Sequence, residues 1–102
     1  MVHVIAVITT KPGQRELLLQ AFCANAPAVR AENGCIEYVA TVDSEPTLGA
    51  QTAFGPDTFV VVEKWESVEA LKAHFKAPHM VAYAEKTRDL VTSRVIQILE
   101  PV

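Results

Sequence analysis

TFVVVEKWE, residues 58–66, decides the fold. It is rich in β-branched and aromatic residues and holds no Gly or Pro, the composition of a strand. From Phe59 to Val62 it does not alternate between apolar and polar. Such a run marks a strand buried on both faces. Only one other stretch has this character: Val2 to Thr9 (VHVIAVIT), unbroken in apolar residues from Val4 to Ile8. These two are therefore expected as the central pair of one sheet.

Working outward, Lys11-Pro12-Gly13 breaks the first strand, and a helix is expected from near Pro12. Leu18, Phe22, Ala26 and Val29 recur at helical spacing, Pro27 should kink the helix, and Asn33-Gly34 should stop it. Cys35 to Asp43 (CIEYVATVD) reads as a strand with Ile36, Tyr38, Ala40 and Val42 on one face. Residues 44–57 carry Pro46, Gly49, Gly55 and Pro56 without periodicity. They form a long loop, expected to be more mobile than the strands it joins. After residues 58–66, Ser67 is a good N-cap, and Val68, Leu71 and Phe75 form the stripe of a short helix. Pro78 ends that helix and starts another, through Met80, Tyr83, Ala84, Thr87, Leu90 and Val91. Ser93 to Leu99 (SRVIQIL) closes the set as a strand. The order is β-α-β-β-α-β, the ferredoxin-like α+β arrangement with an antiparallel sheet, in a single domain spanning residues 1–102.

Two helical segments can cover only one face of that sheet, while its central strands are apolar on both. The simplest cover for the second face is the same face of another copy, so a homodimer packed sheet to sheet is expected.

Composition narrows the function. Net charge is −3 with acids and bases interspersed and no basic stripe, which argues against nucleic acid and anionic membranes. The longest apolar run is far short of a membrane span, and the N-terminus lacks a signal-peptide pattern, so the expected location is cytoplasmic. Cys23 and Cys35 are separated by roughly 15 Å of helix, too far for a disulfide. Both read as packing residues in a reducing compartment.

The candidate chemistry sits on residues 63–83. Phe59, Val61, Glu63 and Trp65 share one strand face. A carboxylate there needs a partner or a raised pKa, so Glu63 is either a pocket group or a structural acceptor. Trp65, the sole tryptophan, is either a flat wall for an aromatic substrate or core. His74 follows Leu71 by three and reads as the edge of the stripe. It is either a base for a phenolic proton or a satisfied core histidine. His79 lies by the helix break, at a pocket mouth or as a cap. Tyr38 and Tyr83 either contact a substrate or pack. His3 reads as structural. The histidines five apart, with no third ligand, make a poor metal site, and no glycine-rich phosphate loop or nucleophile elbow is present.

Three ordered stretches resemble the antibiotic biosynthesis monooxygenase family across roughly residues 2 to 99. They are Lys11-Pro12-Gly13; Glu32-Asn33-Gly34-Cys35-Ile36-Glu37-Tyr38; and Val62-Glu63-Lys64-Trp65, followed by Glu69-Ala70-Leu71, His74 and Pro78-His79. Within the family the chain is most similar to small quinol monooxygenases. The resemblance implies a dimeric α+β barrel with a pocket between sheet and helices. It also implies oxidation of a quinol or phenol by O2 without flavin, haem or metal. His74 and Glu63 then become the catalytic candidates, with Trp65, Tyr38, Phe75, His79 and Tyr83 around the substrate. Distant haem-degrading relatives carry an asparagine on the first strand, and His3 to Thr9 has none. Two rivals stay open: a non-catalytic binding module, and an isomerase of a small polar metabolite needing a cation such as Lys64, Lys72 or Arg94.

Overall fold

The structure, a computed structural model, describes residues 1–45 and 48–102. Pro46, counted above in the 44–57 loop, and Thr47 lie outside the described residues. The elements are β1 (Val2–Thr10), α1 (Arg15–Arg30), β2 (Cys35–Thr41), β3 (Thr58–Trp65), α2 (Val68–Lys76), α3 (Pro78–Thr87) and β4 (Val91–Leu99), with a 3₁₀ turn at Arg88–Leu90. The sheet runs β2-β3-β1-β4 and every pairing is antiparallel. The two apolar strands are its central pair, and the architecture is the ferredoxin-like α+β one. Among the described residues no helix is long and apolar enough to cross a membrane.

Burial alternates along the central strands although hydropathy does not. Val2, Val4, Ala6 and Ile8 of β1 are buried, and Phe59, Val61, Glu63 and Trp65 of β3 lie beside them. Leu18, Phe22, Ala26 and Val29 of α1 and Leu71 of α2 complete the core. Each buried Val, Leu, Ile or Phe among them contributes about 1.5–3 kcal/mol by leaving water. Ile5, Val7, Val60 and Val62 point the other way and are only half-buried, with no helix against them.

Four local expectations are corrected. The helix α1 begins at Arg15 rather than near Pro12. Gly13 takes a left-handed φ of 79° and donates its N–H to Asp57 Oδ1 at 3.0 Å, so the chain is still turning there. Cys23 is exposed, because it lies beside the buried stripe rather than on it. On β2 a register shift lets Cys35 face Trp65 and Glu37 face Lys64, leaving Ile36 as the extra residue. Ile36 is therefore exposed while Tyr38 is buried. On α2 the buried pair is Leu71 and His74, and Phe75 is half-exposed.

Candidate active site

Three chain reversals converge on one end of the sheet. After α1 the chain turns through Glu32, whose N–H donates to the Val29 carbonyl at 2.9 Å and whose carbonyl accepts the Cys35 N–H at 3.2 Å. Gly34, at a φ of 87°, packs this turn against the start of α2, where an added Cβ would lie 2.6 Å from Ala70 Cβ. Its carbonyl also accepts the Glu66 N–H at 2.8 Å. Ser67 then caps α2 by accepting the Ala70 N–H at 3.1 Å. Ala77, extended at ψ 137°, ends α2, and Pro78 opens α3 in a new direction. That break places His74 and His79 on the same carboxylate.

The His74 side chain is 2% exposed. Its ring lies against Trp65 at 4.6 Å between centroids and meets the edge of Tyr38 at 5.6 Å. Its Nδ1 is 3.2 Å from Glu32 Oε1 and 3.0 Å from Oε2. His79 Nε2 is 2.7 Å from the same Oε2. Among the described residues His74 Nε2 has no hydrogen-bond partner, yet no sealed side-chain nitrogen or oxygen lacks one. The pocket that His74 lines lies between sheet and helices.

That pocket encloses about 120 Å³ between sheet and helices. It is lined by Ala6, Ile8, Phe59 and Val61 of the central strands, by Phe22, Phe75, Met80 and Tyr83 of the helices, and by Arg94 and Ile96 of β4. Tyr38, Glu63 and His74 also line it. The volume is on the scale of one aromatic ring, since an apolar cavity of about 150 Å³ holds benzene. Glu63 accepts the Trp65 indole N–H at 2.9 Å. Burial raises its pKa, against the opposing pull of that hydrogen bond and of His74. Tyr38 stacks on Phe22 at 5.0 Å, and burial, with Glu63 next, drives its hydroxyl far above the ordinary phenol range. Tyr83 is pushed up to about 12 by burial, although Arg94 nearby pulls it down.

The structure thus brings His74, Glu63, Tyr38, Phe75 and Tyr83 to one cavity. It does not bring Trp65 or His79 there. Trp65 is fully buried and sealed from the cavity, its indole N–H committed to Glu63. His79 turns away at the helix break and meets Glu32. Nor is His74 at the edge of a stripe: the turn before β2 and the strand face bury it. The residue that sequence reasoning missed is Glu32, quoted only within a motif. Its signal was available, since a histidine on a buried face needs a polar partner. Among the described residues no group of His, Cys, Asp and Glu is arranged to hold a metal ion.

An apolar pocket floored by an antiparallel sheet, with His74 in its wall and Glu32 behind that ring, sits on a ferredoxin-like α+β fold. A family model described as antibiotic biosynthesis monooxygenase matches residues 1–86, and the chain belongs to that family. Among its relatives, the probable quinol monooxygenase YgiN of Escherichia coli strain K12 is 41% identical over 103 residues, covering 99% of this chain and 98% of YgiN. Of solved structures, PA3566 from Pseudomonas aeruginosa superposes with a TM-score of 0.82 at 26% identity, covering 99% of this chain and 93% of that one. Rv0793 from Mycobacterium tuberculosis gives a TM-score of 0.78 at 27% identity, covering 99% and 94%.

Proposed function

We propose that the protein is a cofactor-independent monooxygenase of a quinol or single-ring phenol, working as a cytoplasmic homodimer. The observation that carries this reading is a buried histidine, His74, held through Nδ1 by Glu32 and lining an apolar, ring-sized pocket. The likeness to YgiN supports the substrate class. His74 Nε2 takes the phenolic proton. The phenolate passes one electron to O2, and the radical pair recombines as a ring peroxide. His74 returns its proton to the peroxide, and loss of water, which carries off that proton, the ring hydrogen and the outer oxygen, leaves one oxygen atom on the ring as a quinone carbonyl. The apolar walls keep water from the radical pair, and Tyr38 and Tyr83 border the ring. No flavin, haem or metal takes part, so the purified protein should show no visible absorption band and no stoichiometric metal.

The dimer of this proposal uses the half-buried sheet face of Ile5, Val7, Val60 and Val62, which the described residues leave uncovered. The test is an oxygen-electrode screen of hydroquinones, naphthoquinols and polyphenols. The proposal expects quinol-dependent uptake above autoxidation, and no uptake with any of them would overturn it.

One observation favours a rival, the isomerase of a small anionic metabolite. Arg94 is the cation that lines the pocket, whereas Lys64 pairs with Glu37 at 3.5 Å and Lys72 is exposed on α2. Tight binding of a phosphorylated metabolite without O2 uptake would favour that rival.

A further inference from the structure

A neutral imidazole has one N–H and one lone pair, and which nitrogen holds the proton is set by what the other atoms offer. An ionised carboxylate offers only acceptor sites. Glu32 presents Oε1 and Oε2 at 3.2 and 3.0 Å from His74 Nδ1, so that nitrogen must carry the proton. The reverse tautomer would set a lone pair against a carboxylate at hydrogen-bond distance. The same reasoning puts the His79 proton on Nε2, 2.7 Å from Oε2.

We propose that Glu32 is the positioning residue of this site. It fixes His74 as the Nδ1–H tautomer, so the Nε2 lone pair is the one presented to the pocket. His79 acts one step further out, as the second donor that holds the Glu32 carboxylate in place.

The construction favours this over a brace alone. The side chains are 2%, 13% and 29% exposed for His74, Glu32 and His79, so the set runs from the pocket wall to the surface. Glu32 has backbone hydrogen bonds on both sides, so its side chain leaves a fixed point. Arg30, the cation nearest Glu32 in sequence, is spent elsewhere, with Nε and Nη2 donating to the Tyr38 carbonyl at 3.1 and 2.9 Å. The two histidines are thus the hydrogen-bond donors to this carboxylate among the described residues. Trp65 and Tyr38 pack against the His74 ring. A ring so clamped has little freedom to flip, and the tautomer decides whether it is a base or a donor toward the pocket.

The role of Glu32 in turnover rests on the proposed quinol oxidation, but its effect on the tautomer does not. The experiment therefore has two arms on the full-length protein. Long-range proton–nitrogen correlation of the histidine rings at mildly alkaline pH reads the tautomer directly. His74 is expected to show a protonated Nδ1 and an unprotonated Nε2, and E32A to lose that preference. A His74 that carries its proton on Nε2 in the unmodified protein would overturn the proposal, whatever the activity.

The second arm is steady-state quinol-dependent O2 uptake. E32A should lower kcat roughly 10- to 100-fold with KM little changed, and E32Q, whose amide oxygen can still accept the His74 Nδ1–H, should restore most of it. H79A should lower kcat in the same direction. H79Q, whose amide N–H can take the place of Nε2–H, should restore most of it. A purely structural brace would instead lower the melting temperature while leaving kcat per folded protein near normal, and that result would overturn the proposal. Absence of uptake by the unmodified protein would sink the quinol reading alone, and the tautomer arm would still decide the role of Glu32.

Discussion

At the scale of the residue, two side chains carry the account. His74 was legible by type and by its place in Lys64-Trp65…His74, but not its depth, because burial comes from the turn before β2, which lies far off in sequence. That depth changes what its loss should do. His74→Ala should cost on the order of 10²- to 10⁴-fold in turnover, the range for a positioned base. It should also cost about 2–5 kcal/mol in stability, since it empties a core site and strips Glu32 of a donor. Normal turnover per folded protein, measured beside a thermal melt, would remove the base role.

Glu63 makes a prediction of opposite sign. Burial lifts its folded pKa above the ordinary 4.5, so the folded state holds this proton more tightly than the unfolded chain does. Its contribution to stability is therefore greatest below about 4.5 and is lost as pH rises through the folded value. Glu63→Gln keeps an acceptor for the Trp65 N–H and carries no charge. It should be at least as stable as the unmodified protein at neutral pH, and this part of the pH slope should flatten in urea titrations. A variant less stable at neutral pH with the slope intact would contradict the assignment.

At the scale of the element, hydropathy located the strands and helices but ran α3 on through Val91, which opens β4, and it failed where contacts between elements set the detail. The bulge at Ile36 depends on how Cys35 and Glu37 meet β3, which no local pattern reports. Hydrogen bonds from distant residues tie down the last residues before β3. Asp43 accepts the Phe54 and Gly55 N–H groups at 3.0 and 2.9 Å, and Arg15 donates to the Gly55 and Thr58 carbonyls. The helix stop at Asn33-Gly34 was legible as punctuation. Its second task, close approach to Ala70, was not. Gly13 and Gly34 both have left-handed φ, but a Cβ on Gly13 meets nothing within 4 Å. Gly13→Ala should therefore cost about 1–2 kcal/mol from backbone strain alone. Gly34→Ala should cost more, because its Cβ cannot coexist with Ala70, and it should also lower turnover by moving Glu32. Equal melting temperatures for the two variants would contradict this picture of the turn.

At the scale of the whole molecule, the sheet has one face under helices and one face of half-buried aliphatic residues. The sequence carried that fact as two strands that refuse to alternate, and it pointed to a second copy before any pocket was visible. In sedimentation equilibrium at micromolar concentration the protein should run at twice its 11.1 kDa chain mass. Val7→Glu would place a charge where β1 should meet its partner, and it should shift the equilibrium toward monomer. A monomeric unmodified protein would contradict the sheet-to-sheet dimer.

The central proposal is that this chain oxidises a quinol with O2 using its own side chains. The most direct measurement supplies isotopically heavy O2 and a hydroquinone to metal-stripped, colourless protein and weighs the product. The account predicts one heavy oxygen atom in the quinone, with uptake abolished or strongly reduced in His74→Ala. A product with no heavy oxygen, or turnover that returns only with an added metal or flavin, would contradict it.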